Sequence, residues 1–368
     1  HRMVTKGSRN TDPALYIANQ TAGWAGCSEL GFGNEEAPPA AVLAAATVVG
    51  APALPRRPSI ASPLGMKTVR NGPISSHAPP PIFDPLKAGV DVVVAAQTLG
   101  TTVRRTPLDL SLRLSGKRHQ PVLLKREDVQ VGRSYKVRGA YNMISSLSPA
   151  ERESGVVCAS AGNHAQGVAF ACRQLKIHGK VFLPSTTPRQ KRARIRDIGG
   201  PWIEQVIGGA TFDDASAAAI EYAGAHGATY VHPFDDPEVI AGQGTIGMEI
   251  LRQHTKPIHA VFCAIGGGGL IAGIGAYLKR LRPEIKIIGV ETHDADAMAQ
   301  SLAAGKRVRL SHVGLFADGT AVKYVGEETF RVCREVVDEV IRVDTDAICA
   351  AIKDVFEDTR SILEPSGA

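Results

Sequence analysis

The feature that most constrains the fold is an alternation between short apolar runs and helix-length stretches, which begins near Phe83. Short strands that alternate with helices favour parallel sheets covered by helices on both faces, so the predicted fold class is α/β. Helices are predicted over residues 91–99, 134–147, 165–175, 188–198, 212–225, 242–254 and 270–281. The predicted buried strands are PVLLKRED (121–128), GVVCAS (155–160), GKVFLP (179–184), WIEQVI (202–207), ATYVHP (228–233), IHAVFCAI (258–265) and IKIIGVE (285–291).

Composition argues against a nucleic-acid or membrane partner. Aromatic residues make up 5% of the 368 residues, too few to indicate a base-stacking surface. The net charge is +6, but basic residues crowd together only in Arg189–Arg196, a run typical of a solvated helix face. The most apolar early stretch, Ala40–Leu54, is short for a bilayer and is broken by glycine and proline. The six cysteines show no C-x-x-C pair and no metal-ligand spacing, so reduced thiols are expected.

Residues 1–82 have a different texture from the rest of the chain. They are rich in Ala, Pro, Gly and Ser and lack clear periodicity, which predicts a disordered or leader segment. We expect a cytoplasmic protein; a plastid or mitochondrial transit peptide is the alternative. Asp12, Glu29, Glu35 and Glu36 make the segment more acidic than such peptides usually are.

Ligands of open α/β sheets bind beyond the carboxyl ends of the strands, and three loops there carry chemistry. The first is SYKVRGAYN, in which Lys136 lies close to a predicted helix start. The positive end of a helix disfavours a protonated amine, and a neutral amine can form a Schiff base. A solvated surface lysine is the alternative for this residue taken alone.

The second loop is CASAGNHAQG, which follows a predicted strand and opens a helix. Ser160, Ala161 and Gly162 are small enough for backbone N–H groups to approach an anion, which suits a substrate carboxylate. Asn163 can then reach a ring oxygen of a bound ligand. The alternative is a helix cap made by Ser160 or Asn163, and His164 is expected to be structural rather than a base.

The third loop is AIGGGGLIAGIG, with Gly266–Gly269 directly between a strand and a helix. Bare amides at a helix start suit a phosphate monoester, whereas a packing role for the glycines is the alternative. No Lys-Ser/Thr pair follows, so this is not a Walker A loop. An amine nucleophile, a carboxylate site and a phosphate site together fit a phosphorylated aldehyde and an amino acid, which is pyridoxal-5′-phosphate (PLP) chemistry.

Five motifs in order resemble the fold-type II PLP enzymes, specifically the threonine dehydratase (threonine ammonia-lyase) family, between Asp91 and Ala368. They are SYKVRGAYN, SAGNHAQG, HPFDDPEVIAGQGT, GGGGLIAG and VGLFADGTAVK. The resemblance implies a large PLP-binding domain made of residues 83–157 and 236–368 and a small inserted domain, 158–235. It implies the following site: Lys136 in a Schiff base with PLP, Asn163 on the ring hydroxyl, Gly266, Gly267, Gly268, Gly269 and Leu270 on the phosphate, and Ser160, Ala161, Gly162, Asn163 and His164 around the substrate carboxylate.

The implied reaction is dehydration and deamination of L-threonine to 2-oxobutanoate and ammonia in isoleucine biosynthesis, with L-serine as a secondary substrate. The implied assembly is a homo-oligomer, a dimer or tetramer, when full length. A catabolic serine/threonine dehydratase, a serine racemase and an inactive fragment are the alternatives. Some relatives, including serine racemase, carry a second serine where this chain has Ala161, which disfavours racemisation.

Two departures from the family pattern give further expectations. Some relatives bind a divalent cation through a glutamate and a carboxylate six residues later; here Glu291 is followed by Ala297, so no metal is expected, although Asp294 and Asp296 could substitute. The chain ends at ILEPSGA, where the family continues through a helix and a strand to a serine that faces the PLP ring nitrogen. We therefore expect a C-terminally truncated large domain with low stability and weak activity.

Overall fold

The computed structural model describes residues 14–18 and 88–368, so most of the segment expected to be a leader lies outside the described residues. The strands are β1 (Ala14–Ala18), β2 (Leu108–Leu110), β3 (Val122–Arg126), β4 (Val156–Ala159), β5 (Gly179–Leu183), β6 (Ile203–Ile207), β7 (Thr229–Tyr230), β8 (Ala260–Ala264), β9 (Lys286–Thr292) and β10 (Glu339–Val343). The α-helices are α1 (Ala88–Leu99), α2 (Leu112–Arg118), α3 (Lys136–Ser145), α4 (Pro149–Ser154), α5 (Asn163–Leu175), α6 (Arg189–Gly199), α7 (Phe212–His226), α8 (Pro237–Gln253), α9 (Gly269–Leu281), α10 (Ala297–Ala304), α11 (Glu327–Val336) and α12 (Thr345–Thr359). Within these ranges, no helix has both the length and the apolar character that a bilayer crossing requires.

The larger sheet has the strand order β10-β9-β8-β1-β3-β2 in the described residues. All neighbouring pairs are parallel except β2 and β3, which are antiparallel. β1 is the first strand in the chain but lies in the middle of the sheet, where Ala14 is in register with Val122 on one side and Ala260 on the other. Disorder was expected at Ala14–Ala18, but these residues form a strand. The strand is stabilised because its backbone groups pair with those of β3 and β8.

The smaller sheet has the order β6-β5-β4-β7, and all of its strands are parallel. Alternate residues of β4 face two separate cores: Val156 and Cys158 pack with α3 and α5, whereas Val157 and Ala159 pack with α7. Burial on both faces explains why the sequence of β4 is apolar without alternation. The predicted α/β class, with parallel-rich sheets flanked by helices, is thereby confirmed.

The seven helices and seven strands predicted from the apolar pattern are present. The largest error in a boundary is at α8, which begins at Pro237 and not at Gly242. Asp236 accepts hydrogen bonds from the amides of Glu238 (2.9 Å) and Val239 (3.0 Å), and proline follows it at the first helical position. This cap starts the helix one and a half turns before the glycine-rich stretch.

A buried network of charges joins the end of β3 to α3 and α8. Arg138 donates to both carboxylate oxygens of Glu127, at 2.9 and 2.8 Å, and to Glu249 at 2.7 Å. Lys125 donates to Glu249 at 2.5 Å and to the carbonyl of Thr106 at 2.8 Å. Arg138, Glu127 and Lys125 are at most 1% exposed. The network therefore fixes the start of α3, two residues from Lys136, to the sheet.

Close packing of α8 against α9 depends on glycine at their crossing. A Cβ atom on Gly273 would overlap with the carbonyl of Ile240 and lie 2.7 Å from the amide nitrogen of Gly244. Both are backbone atoms, so neither can turn aside as a side chain can. The sequence motif GGGGLIAG therefore carries a packing requirement in addition to any ligand role.

We expect Gly273→Ala to destabilise the protein by about 1–3 kcal/mol, because the methyl group forces α8 and α9 apart. Urea denaturation measures the free energy of unfolding. The matched control is Gly116→Ala in α2, where an added Cβ meets nothing within 4 Å. Since alanine is the better helix former, the control is expected to gain about 0.5–1 kcal/mol. Equal effects of the two substitutions would contradict the packing argument.

Candidate active site

Lys136 is the first residue of α3 and follows β3 through two short 3-10 turns, Glu127–Val129 and Val131–Arg133. Its Nζ atom donates a hydrogen bond to the carbonyl of Pro233 at 2.9 Å. The backbone of α5 passes close by, since a Cβ on Gly167 would lie 3.1 Å from the carbonyl of Lys136. The amine is thus directed into the protein and not into bulk water.

The surroundings of Lys136 favour the neutral amine. Burial lowers the pKa of Lys136 from 10.5 to about 8, and the negative charge of Glu364 opposes this shift. The neighbouring Tyr135, at the cap position of α3, has its pKa raised mainly by burial, so the phenol stays protonated. An amine with a pKa of about 8 is roughly half neutral near pH 8, and its neutral form can act both as a nucleophile and as a base.

The loop Ser160–His164 connects the carboxyl end of β4 to the start of α5. Gly162 is the cap residue of α5, no side chain caps this helix, and the hydroxyl of Ser160 accepts the amide of Gly162 at 3.2 Å. The Nδ2 atom of Asn163 donates to Glu364 at 2.9 Å, which leaves the Oδ1 atom buried and without a hydrogen-bond partner in the described part of the chain. The capping alternative therefore does not account for Asn163.

The buried His164 and the half-buried His232 lie close enough to Lys136 to interact with it electrostatically, and both are held by the backbone. His164 contacts the carbonyl of Val231 through Nε2 at 2.8 Å. Burial, with a contribution from the positive charge of Lys136, lowers the pKa of His164 to about 3. His232 likewise has a lowered pKa through burial, although Asp235 opposes the shift. Both rings are neutral at physiological pH, in keeping with a structural role for His164.

Gly266–Leu270 forms the turn from β8 into α9. A Cβ on Gly267 would overlap with the ring of Phe234, and one on Gly269 would lie 3.0 Å from the same residue. Gly268 has a φ of 97°, a left-handed conformation that strains any other residue. The turn therefore places backbone amides that lack partners within the helix at the start of the 13-residue α9. The packing alternative accounts for the same glycines.

The segment His232–Asp235 brings Lys136 and the glycine turn together. Pro233 accepts the hydrogen bond of the Lys136 amine, and the next residue, Phe234, packs against Gly267. His232 holds the segment in a tight turn because its Nδ1 atom accepts the amide of Asp235 at 2.7 Å. The motif HPFDDPEVIAGQGT, to which these residues belong, shows no such role from sequence alone.

Glu364 is a second buried group that sequence reasoning missed. It is 3% exposed, accepts a hydrogen bond from Asn163, and acts electrostatically on both Lys136 and Tyr135. The motif VGLFADGTAVK joins the same region, since a Cβ on Gly266 would lie 3.1 Å from the Cα of Thr320. All five sequence motifs thus meet around Lys136, the glycine turn and the helices behind them.

Glu291 is used as a helix cap in this structure. Its carboxylate accepts the amides of Met298 (3.0 Å) and Ala299 (2.8 Å) at the start of α10, and burial raises its pKa to about 7. Asp296 pairs with Arg342 at 3.0 Å. No group of three or more histidine, cysteine or acidic side chains suited to a metal ion occurs in the part of the chain that the structure describes.

Comparison with known proteins identifies curated relatives of similar sequence. The chain is 59% identical to the biosynthetic L-threonine dehydratase of Burkholderia multivorans over 72% of this chain and 52% of that protein. It is 52% identical to the mitochondrial threonine dehydratase of Saccharomyces cerevisiae over 75% of this chain and 48% of that protein. The chain therefore spans about half the length of these curated relatives.

Solved structures and a family model agree with these relatives. The processed form of threonine deaminase isoform 2 from Solanum lycopersicum has a TM-score of 0.73 and 47% identity, covering 78% of this chain and 83% of that chain. Maize serine racemase has a TM-score of 0.73 and 33% identity, and the match covers 76% of this chain and 84% of the racemase chain. The model of the family described as "Pyridoxal-phosphate dependent enzyme" matches residues 99–368. The chain belongs to this family of PLP-dependent enzymes, in which it is similar to the threonine dehydratases.

Proposed function

We propose that this chain carries the catalytic site of a PLP-dependent enzyme that converts L-threonine to 2-oxobutanoate and ammonia. The observation that carries the proposal is the position of Lys136: its amine has a lowered pKa and binds Pro233, one residue from the ring that packs on the glycine turn. The names of the relatives supply the substrate. L-Serine, one carbon shorter with the same β-hydroxyl, is the proposed secondary substrate.

The residues present fit PLP in three respects. The buried Oδ1 atom of Asn163 has no partner in the described residues, which suits a polar ring substituent such as the ring hydroxyl. Gly266–Leu270 offers backbone amides at a helix start, where a phosphate is stabilised by both the N–H groups and the helix dipole. The desolvated amine of Lys136 suits an imine with the aldehyde.

When bound, PLP supplies an electron sink that stabilises negative charge at the substrate Cα. The Nζ atom of Lys136 is the base that removes the Cα proton, and its lowered pKa keeps much of it neutral for this task. The carbonyl of Pro233 orients the amine, since the hydrogen bond at 2.9 Å fixes its direction. The ring centre of Tyr135 lies 5.6 Å from the amine and provides apolar surface beside it.

Recognition of the substrate carboxylate is assigned to Ser160–His164. The amides at the start of α5 and the hydroxyl of Ser160 provide donors for an anion. His164 contributes no charge, because its pKa is lowered to about 3. The methyl group of Ala161 cannot return a proton to the opposite face of the substrate. The arrangement thus favours elimination over racemisation, although the maize relative of similar fold is named a serine racemase.

The test is to purify the full chain with PLP, add L-threonine and measure 2-oxobutanoate. We expect 2-oxobutanoate from L-threonine and pyruvate, more slowly, from L-serine. Formation of D-serine without a 2-oxo acid would favour a racemase. Absence of any product despite an intact PLP–lysine absorbance band would favour an inactive fragment.

A pH dependence follows from the pKa of Lys136. The neutral fraction of the amine rises with pH through the pKa, so covalent attachment of PLP is expected to accelerate around pH 8 and then level off. In Glu364→Gln the opposing negative charge is lost, so the midpoint is expected at lower pH than in the parent chain. Stopped-flow absorbance from neutral to alkaline pH measures both midpoints. Because the ionisations of free PLP are common to the two proteins, identical midpoints, or a midpoint near 10.5 as for an ordinary lysine, would contradict the assignment.

We assign residues 83–157 and 236–368 to a large PLP-binding domain and residues 158–235 to a small one. β5, β6 and β7 of the smaller sheet lie within the proposed small domain, whereas β4 of the same sheet (Val156–Ala159) crosses its boundary. A homo-oligomer is proposed for the full-length protein, and light scattering tests it. A cytoplasmic location is proposed as well, with an organelle as the alternative, because relatives named mitochondrial and chloroplastic are known. Cell fractionation distinguishes the two.

A further inference from the structure

The glycine turn is held from two sides. On one side, the ring of Phe234 packs against Gly267. Thr329, near the start of α11, lies on the other side. The residue is 0% exposed. Its hydroxyl donates a hydrogen bond to the carbonyl of Gly267 at 2.6 Å. The described contacts thus fix the direction of one peptide carbonyl inside the turn.

The direction of that carbonyl determines the direction of the next amide. A trans peptide is planar, so its C=O and N–H groups point to opposite sides. With the carbonyl of Gly267 turned toward Thr329, the N–H of Gly268 must point away from α11. Gly268 also has a φ of 97°, which only glycine adopts readily, so the turn cannot be exchanged for an ordinary helix start.

Thr329 is itself tied to the segment that orients Lys136. One carboxylate oxygen of Asp235 accepts the amide of Thr329 at 3.0 Å, and the other accepts the amide of Glu327 at 2.9 Å. Asp235 follows Phe234 directly in the chain. Two consecutive residues therefore act on Gly267 from opposite sides. The ring of Phe234 packs against it, and Asp235 holds Thr329, whose hydroxyl binds its carbonyl.

We propose that Thr329 is a positioning residue that presents the amide of Gly268 to the phosphate of PLP. This inference rests on the proposed function and adds a residue that none of the five motifs contains. Thr329 does not touch the phosphate; it acts through the peptide between Gly267 and Gly268. Its loss should affect binding of the phosphate and leave the reaction of the Lys136 amine with an aldehyde unchanged.

The test compares PLP with pyridoxal, which has the same ring and aldehyde but no phosphate. In Thr329→Val the shape is kept and the hydrogen bond is lost, so the apparent dissociation constant for PLP is expected to rise about tenfold. For pyridoxal the change is expected to stay within about twofold, because no group of the turn contacts it. Both constants come from absorbance titration of the full chain, with borohydride reduction to verify attachment at Lys136.

Thr329→Ser is the matched control, since it keeps the hydroxyl and removes only a methyl group. Its ratio of PLP to pyridoxal affinity is expected to equal that of the parent chain. Equal weakening of both aldehydes in Thr329→Val would show a merely structural role and overturn the proposal, as would unchanged PLP affinity. If Thr329→Val does not fold, Asp235→Asn tests the same linkage, and an unchanged affinity ratio there overturns it. Failure of the parent chain to bind PLP at Lys136 would instead refute the proposed function.

Discussion

Lys136→Ala is expected to abolish the absorbance band of the PLP–lysine imine and to lower 2-oxobutanoate formation by at least about 10²–10⁴-fold. In the proposed mechanism, the substitution removes both the nucleophile that would hold the cofactor and the base that would take the Cα proton. Ser160–His164 and the glycine turn remain, so residual binding of PLP through its phosphate is expected. Absorbance titration and a product assay with L-threonine measure the two effects separately.

Two further variants make this result specific. Lys136→Arg keeps a positive charge at the same place but cannot form the imine, so it is expected to behave like the alanine variant. Lys256→Ala removes an exposed lysine far along the chain and is expected to change neither measurement. A Lys136→Ala protein that keeps both the band and the activity would contradict the account.

The largest effect on stability is expected from Arg138→Met. The guanidinium of Arg138 binds both carboxylate oxygens of Glu127 and those of Glu249, and burial of this group is nearly complete. Its removal leaves Glu127 buried with no positive partner on that side, and breaking a buried pair in this way costs about 3–5 kcal/mol. Burial lowers the pKa of Arg138, but Glu127 and Glu249 outweigh it and hold the pKa above its usual value, so in the parent chain the guanidinium is charged throughout the physiological pH range.

Urea denaturation of the full chain measures the loss in the free energy of unfolding. The control is Arg194→Met on α6, whose side chain is exposed and where a change within about ±0.5 kcal/mol is expected. Because Arg138 lies two residues from Lys136, its substitution is also expected to weaken PLP binding. A loss no larger than that of the control would show that the network contributes little to stability.

Much of the fold could be predicted because the strands are buried on both faces. β4 and β8 are continuous apolar runs of four and five residues, and β5 is interrupted only by Lys180, so their sequences stand out from the helices between them. β2 has three residues and β10 mixes charged with apolar residues, so neither gives a clear pattern. β1 was missed because its place in the sheet depends on pairing with β3 and β8, which are distant in the chain.

The site residues that sequence alone identified lie close to the ends of strands, whereas the residues that it missed are brought in by distant contacts. Ser160–His164 and Gly266–Leu270 follow the ends of β4 and β8 closely, and Lys136 begins the first α-helix after β3, so local sequence and the sheet rule were sufficient to select them. Pro233 and Glu364 were missed because their contacts with Lys136 and Asn163 span 97 and 201 residues. Thr329 lies 62 residues from Gly267, in a helix with an ordinary amphipathic pattern. Only the folded chain shows these three residues as neighbours of the site.

Packing and ligand binding impose the same residues on the glycine turn. Gly267 and Gly269 are required by Phe234, and Gly268 by its backbone conformation, whether or not a phosphate is present. The glycines alone therefore do not establish a phosphate site. Their value as evidence comes from the amine of Lys136, which binds the residue next to Phe234.

The most direct test of the account is to identify the lysine that reacts with PLP. The full chain is incubated with PLP, reduced with borohydride, digested and examined by mass spectrometry. We predict a single phosphopyridoxyl group on the peptide that contains Lys136. Inorganic phosphate at high concentration during the incubation is expected to prevent this modification. Modification of another lysine, with Lys136 unmodified, would contradict the central claim.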